Sequence, residues 1–65
     1  MKVRELVNVI DRDDFVHLKT EIYGLTFSCY LSIELITSKP GLMNCFVKRV
    51  YTDDGDLYIE IERDE

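Results

Sequence analysis

The chain has 65 residues and a formal net charge of −5. This length predicts a single domain, residues 1–65, whose small core buries about 60% of the surface that the unfolded chain exposes. Hydrophobic residues make up 46% and charged residues 32% of the sequence, which argues against wholesale disorder. No apolar run approaches the ~18 residues that a membrane span requires, and the acidic balance disfavours direct binding to nucleic acid.

The first predicted element is a helix near the N-terminus. In "VRELVNVI", Val3, Leu6, Val7 and Ile10 follow the spacing i, i+3, i+4 and i+7, which places them on one stripe of an α-helix. The polar cluster "DRDD" at 11–14 is expected to end this helix in a turn. A helix this short needs packing against other elements in order to persist.

Two alternating runs follow, and they predict an antiparallel hairpin. From Phe15 the hydrophobic period changes to two, and after a break at Gly24 the stretch "LTFSCYLS" alternates in the same way. The inward positions of the two runs are Val16, Leu18, Thr20 and Ile22, then Leu25, Phe27, Cys29 and Leu31.

The segment after this hairpin, "IELITSK", is predicted to be a short helix, with an extension of the strand as the alternative. Ser32 is a suitable N-cap for the helix. Pro40 and Gly41 are expected to stop either element.

A second hairpin closes the chain. Residues Cys45 to Tyr51 predict a strand in which Val47 and Val50 are out of phase, which indicates a bulge. The Asp-Gly pair in "TDDGD" is typical of a hairpin turn. In the last predicted strand, Leu57 to Glu62, the inward residues are Leu57, Ile59 and Ile61, and the outward residues are Tyr58, Glu60 and Glu62.

The order of elements predicts the fold class. A helix, a hairpin, a short helix and a second hairpin are most economically packed as an α+β domain. We expect a four-stranded antiparallel sheet, made of the two hairpins, with the N-terminal helix packed on one face.

Catalysis and metal binding are not expected. His17 is the only histidine and lies at an outward position of a strand, and Cys29 shares the inward parity of Phe27, as a buried thiol would. Two cysteines and one histidine at no recognisable spacing do not supply the four ligands of a zinc site. The Asp-Gly turn does not match the offsets of a helix-loop-helix calcium loop. We therefore predict a non-enzyme with no cofactor and no metal.

The N-terminal stretch indicates a cytoplasmic location. "MKVRELVNVIDRDD" is charged from residue 2 and its apolar positions are periodic, unlike the continuous apolar core of a signal peptide. Cys29 and Cys45 are accordingly expected to be reduced thiols.

Tyrosines mark a candidate contact surface. Tyr23, Tyr30 and Tyr58 fall at outward positions, on the sheet face away from the helix and beside His17 and Lys19. Rigid aromatic rings among charges are typical of protein-binding faces. Two alternatives stay open: cross-strand packing that shields the open face, and a homodimer interface.

Carboxylates mark a second candidate feature. They are Asp53, Asp54, Asp56, Glu60 and Glu62. One interpretation is a solvated terminal strand whose charges discourage aggregation. The other is an array for binding a basic surface, because same-face residues of a strand are about 6.6–6.8 Å apart and roughly match the phosphates of one nucleic-acid strand.

The stretches "MKVRELVNVID" and "VKRVYTDDGDLYIEIE" resemble small acidic proteins encoded by bacteriophages and prophages, which often begin with a Lys-Val-x-Glu-Leu helix and end in an Asp-Gly hairpin. More narrowly, the chain is similar to anti-CRISPR proteins. The resemblance implies action inside a bacterial host cell, by inhibition of a defence nuclease through mimicry of nucleic acid, with residues 53–62 as the contact.

These observations lead to one functional hypothesis and one alternative. The hypothesis is a non-catalytic phage or prophage accessory protein that binds a host protein with a basic surface, and inhibits or modulates it. The five carboxylates would supply the charge, and Tyr30 and Tyr58 the anchors. The alternative is a structural homo-oligomer whose tyrosine-bearing sheet face is a subunit interface.

Overall fold

The computed structural model describes residues 1–63, which form a small α+β fold with a mixed four-stranded sheet and short helices. The strands are β1 (Phe15–Ile22), β2 (Leu25–Ser32), β3 (Phe46–Asp53) and β4 (Asp56–Glu62). The helices are α1 (Val3–Leu6), which continues as a 3-10 turn at Val7–Val9, α2 (Ile33–Thr37) and α3 (Pro40–Met43).

The sheet has the strand order β2-β1-β4-β3, and its two hairpins are those that the sequence predicts. The prediction of a purely antiparallel sheet is wrong, because β1 and β4 pair in parallel, with His17 opposite Tyr58 and Leu18 opposite Ile59. Alternation of apolar residues determines which face a side chain takes, not the relative direction of two hairpins. Here the helical connection between β2 and β3 runs from one end of the sheet to the other, so β4 enters beside β1 in the same direction.

The N-terminal segment is also part of the sheet edge. The Val47 N–H donates to Met1 O at 2.7 Å, and the Val3 N–H donates to Cys45 O at 2.9 Å, so residues 1–3 run along the start of β3. The helix predicted over residues 3–10 is shorter than expected: it narrows to a 3-10 turn after Leu6, and Ile10 is extended.

Among residues 1–63, nine buried residues form a single cluster. They are Val3, Val7, Val16, Leu18, Ile33, Ile36, Cys45, Ile59 and Ile61. The strand members all lie at the predicted inward positions, on one face of the sheet.

The cover over that face is incomplete. On β2, Leu25 is 63% and Phe27 50% exposed, and Cys29 is exposed as well. The prediction that Cys29 is buried is therefore wrong. It does lie on the inward face, opposite Leu18, but no described helix covers this part of β2, and strand parity alone does not predict where a cover ends.

Residue chemistry explains where α2 and α3 begin. Ser32 Oγ accepts a hydrogen bond from the Leu35 N–H at 3.2 Å, which confirms the predicted N-cap of α2. The sequence predicts only that Pro40 stops the element before it. It instead occupies the first turn of α3, where its missing N–H costs no helical hydrogen bond.

Both hairpins turn through two residues with positive φ. Asp54 and Gly55 have φ of 54° and 84°, as the predicted Asp-Gly turn requires. Tyr23 and Gly24 have φ of 54° and 78°, so Tyr23 sits in a turn. The prediction that Tyr23 lies on the outward face of a strand is therefore wrong. Within residues 1–63, no helix is long and apolar enough to cross a membrane.

Candidate functional site

The sheet face away from the buried cluster carries a continuous row of aromatic rings. The row, here called the aromatic row, consists of Phe15, Tyr30, His17, Tyr58 and Tyr51. Ring centroids are separated by 5.2 Å for Phe15 and Tyr30, 4.5 Å for Tyr30 and His17, 4.4 Å for His17 and Tyr58, and 5.1 Å for Tyr58 and Tyr51. The row therefore spans all four strands.

Strand register builds this row. His17 lies directly opposite Tyr30 on β2 and opposite Tyr58 on β4, and Tyr58 lies opposite Tyr51 on β3. Side chains directly opposite one another on one face of a sheet are close enough to pack. Phe15, the first residue of β1, comes two residues before His17 on the same face and stacks on Tyr30.

Exposure changes along the aromatic row. Phe15 is 54% and Tyr30 56% exposed, whereas His17, Tyr51 and Tyr58 are half-buried by their neighbours. The two exposed rings at the β1 and β2 end are thus the ones that a bound partner would cover most.

A row of charged side chains lies two residues further along the strands and orders the rings beside it. It consists of Lys19, Glu60 and Arg49. Lys19 Nζ donates to the Tyr51 hydroxyl at 3.1 Å and lies 5.3 Å from the centre of the Tyr58 ring. Arg49 pairs with Glu60 at 2.9 Å and stacks its guanidinium 4.5 Å from the centre of Tyr51. The hydrogen bond with Tyr51, more than any other contact, raises the pKa of Lys19.

On the other side of the aromatic row lies a carboxylate. Asp56 Oδ2 is 3.4 Å from His17 Nε2, and that nitrogen is shielded from solvent without a well-aligned hydrogen bond. Protonation of the imidazole would make this contact an ion pair. Asp56 thus links the acidic turn to the centre of the row.

The parallel pairing of β1 and β4 brings two acidic loops to the same end of the sheet. The loop before β1 and the turn before β4 both precede a strand, and parallel strands begin at the same end. Their aspartates are Asp11, Asp13 and Asp14 in the loop, and Asp53, Asp54 and Asp56 in the turn. An antiparallel arrangement would have placed these two loops at opposite ends.

The predicted site residues fall into three groups. Tyr30, Tyr58 and Asp56 gather around His17. Asp53 and Asp54 are exposed in the adjacent turn.

The other two predicted carboxylates lie elsewhere on β4. Glu60 is engaged with Arg49, and the exposed Glu62 sits opposite Phe46 at the far end of the strand. The carboxylates of β4 therefore have different surroundings.

Three residues of the site were missed by the sequence prediction. Tyr51 and Arg49 reach the outer face because the bulge between Val47 and Arg49 shifts the alternation of β3. In the sequence, the phase change between Val47 and Val50 is the signal that indicates this shift. Phe15 was seen only as the start of a strand, although its parity with His17 already places it on the outer face.

Reactive side chains are not gathered at this surface. Cys29 and Cys45 belong to the opposite side of the sheet, away from His17. Within residues 1–63, no group of three or more histidine, cysteine or acidic residues is arranged to hold a metal ion. What the surface offers is aromatic contact area bordered by charge.

Comparison with protein-family models, curated proteins and solved structures finds no significant match for this chain.

Proposed function

We propose that this chain is a non-catalytic binding protein that uses the aromatic row and the adjacent acidic turn to engage another protein, and thereby inhibits or modulates it. The observation that carries the proposal is the ladder of five aromatic rings across the open sheet face. A phage or prophage origin, with a host defence nuclease as target, is the form of this function that the sequence resemblance suggests.

The aromatic row suits protein contact because its rings are already fixed. His17 is held between Tyr30 and Tyr58, and Tyr51 is held by Lys19 and Arg49. Side chains that are ordered before binding lose little conformational freedom on binding. Tyrosine is also enriched among the residues that dominate binding energy.

The charge at the border of the row indicates the chemistry of the partner. The turn carrying Asp53, Asp54 and Asp56 lies beside the rings, and the acidic loop 11–14 lies at the same end of the sheet. A partner with lysine or arginine side chains next to an apolar patch would complement this arrangement. A basic groove that normally holds a phosphate backbone meets this description.

Nucleic acid itself is a poorer candidate. Aromatic rings on a sheet can stack on bases, but such platforms are accompanied by a positively charged groove. Here the chain has a net charge of −5, and aspartates border the rings.

A homo-oligomer joined through this same face is the alternative. It would cover the exposed rings of Phe15 and Tyr30, yet two copies would also bring their acidic turns towards the same contact surface. Like charges at an interface oppose association. A basic partner therefore fits the face better than a second copy does.

The decisive experiment is site-specific photo-crosslinking in a bacterial lysate. A photoreactive phenylalanine analogue replaces Tyr30 on the aromatic row or, as the control, Leu35 on α2, which is also exposed at 42%. We expect a specific crosslinked protein from position 30 and not from position 35, retained after nuclease treatment. Equal capture from both positions, or crosslinks only to the chain itself, would contradict the proposal.

Charge dependence is tested with matched double variants once the crosslinked protein is purified. Asp53→Asn with Asp56→Asn neutralises the turn, and Glu21→Gln with Glu34→Gln makes the same change in net charge elsewhere. Asp54 is left in place so that each double variant removes the same number of charges. We expect about tenfold weaker binding from the first pair only. Equal losses from both pairs would mean that total charge, not this turn, drives binding.

A further inference from the structure

Strand β2 presents an unusual open edge. It lies at one side of the sheet, where β1 is its only partner among the described strands, and most of its residues are exposed. It is also the only one of the four described strands without a charged residue. Natural proteins commonly protect open edges with charges, prolines, bulges or covering segments, because an open edge can pair with another strand.

The other edge of the sheet shows those protections. On β3, residues 45–47 are covered by the N-terminal segment through hydrogen bonds to Met1 and Val3. A bulge follows between Val47 and Arg49, and the strand carries Lys48 and Arg49. The contrast indicates that the β2 edge is left open for pairing.

The turn between β1 and β2 determines which backbone groups of β2 are available. In a two-residue hairpin the residues that flank the turn form a hydrogen-bonded pair, here Ile22 and Leu25. Hydrogen-bonded and non-hydrogen-bonded pairs then alternate along the strands. The N–H and C=O groups of Thr26, Ser28, Tyr30 and Ser32 consequently point to the open edge.

We propose that β2 pairs in antiparallel fashion with β2 of a second copy of this chain, which joins two four-stranded sheets into one eight-stranded sheet. The register that uses all four of these outward-pointing residues places Cys29 opposite Cys29 of the second copy. Phe27 then faces Leu31 of the second copy, and Ser28 faces Tyr30. A two-fold axis passes between the two Cys29 residues, so the interface is self-complementary.

The self-complementary register favours a second copy as the occupant, and the charge distribution permits it. Each chain has a net charge of −5, so two copies repel each other over most of their surfaces. Along β2 this repulsion is weakest, because the strand has no charged residue. The pairing leaves both aromatic rows on an open face, and it is therefore independent of the function proposed above.

The exposed apolar side chains of β2 also favour a second copy as the partner. Leu25 and Phe27 expose 63% and 50% of their surface on the inward face of β2. Side by side across the two-fold axis, Phe27, Cys29 and Leu31 of both copies would form one apolar strip. Chains of this length often rely on a second subunit to supplement a small core.

The first test measures molar mass by light scattering at about 100 µM. We expect a dimer for the unmodified chain and about tenfold weaker dimerisation for Ser28→Glu. In the folded monomer this glutamate would lie opposite Lys19, so the fold is retained, which circular dichroism checks. Asn8→Asp adds the same charge at an exposed helical position and should leave the dimer intact. A monomeric unmodified chain, or a dimer that Ser28→Glu does not weaken, would overturn the proposal.

The second test reads the register. In Cys45→Ala, which leaves Cys29 as the only thiol, mild oxidation with a copper complex should give a covalent dimer, because opposite residues of a non-hydrogen-bonded pair have Cα atoms about 4.5 Å apart. Cys29→Ser, tested alongside, should give none. Failure of Cys45→Ala to crosslink while it is dimeric would overturn the proposed register.

Discussion

His17 and Tyr58 lie directly opposite each other on the parallel strands β1 and β4, with ring centroids 4.4 Å apart and ring planes 11° from parallel. This contact joins the two hairpins on the open face of the sheet. We expect a double-mutant cycle of His17→Leu and Tyr58→Leu, measured by urea unfolding, to give a coupling energy of about 0.5–1.5 kcal/mol.

The matched control pairs His17→Leu with Phe46→Leu, because Phe46 lies opposite Glu62 at the far end of the sheet. These two changes should be additive within about 0.5 kcal/mol. Equal coupling in both cycles would show that the stacking of His17 on Tyr58 has no special role.

Tyr23 is a position where substitution should stabilise the fold. Its side chain is 100% exposed and its φ is 54°, a region that disfavours most L-residues. We expect Tyr23→Asn to raise the free energy of unfolding by about 1 kcal/mol, since Asn-Gly is the preferred pair for this turn. Tyr23→Ala removes the same ring but keeps the unfavourable backbone, and should change stability little. A stability loss from both variants would reveal a contact made by the ring.

Ile59 and Val50 test the position of the core. They lie opposite each other on β4 and β3, but Ile59 is fully buried while Val50 is 42% exposed. Ile59→Ala should cost about 2–5 kcal/mol, a large part of the stability of a domain this small. Val50→Ala should cost distinctly less in the same urea titration. Similar losses at the two sites would mean that the buried cluster is centred elsewhere.

Lys19 should make stability depend on alkaline pH. Its hydrogen bond with Tyr51 raises its pKa above the ordinary value of 10.5, so its folded state favours the charged lysine. That contribution is complete below pH 10.5 and is lost as pH rises through the folded-state pKa. As pH rises above 10.5, Lys19→Met should therefore lose less stability than the unmodified chain does. An identical slope for the two proteins would exclude the contribution of Lys19.

Local patterns predicted the elements well because local chemistry determines them. The alternation of Val16 and Leu18 predicts the face of β1, Ser32 predicts the start of α2, and the Asp-Gly pair predicts the second turn. Each of these signals depends on residues within a few positions of one another.

The remaining features depend on contacts between distant residues. Nothing in the alternation around His17 or Tyr58 reveals that their strands run parallel, because the pattern is the same in either direction. Cys29 has the parity of a buried residue, but its exposure depends on how far the helices extend. The same limitation explains why the sequence predicted Tyr30 and Tyr58 on one face but not the complete aromatic row.

The parallel seam between β1 and β4 has a kinetic consequence. Each hairpin closes through a two-residue turn, whereas the contact of His17 with Tyr58 encloses most of the chain in a loop. Closing a long loop is entropically costly, so the seam should form after the hairpins and open before them. The aromatic row crosses this seam, and a partner lying along the row would hold both hairpins at once. Binding would then slow the parting of the two halves, which hydrogen exchange at Lys19 and Ile59, whose N–H groups face the seam, would register as added protection.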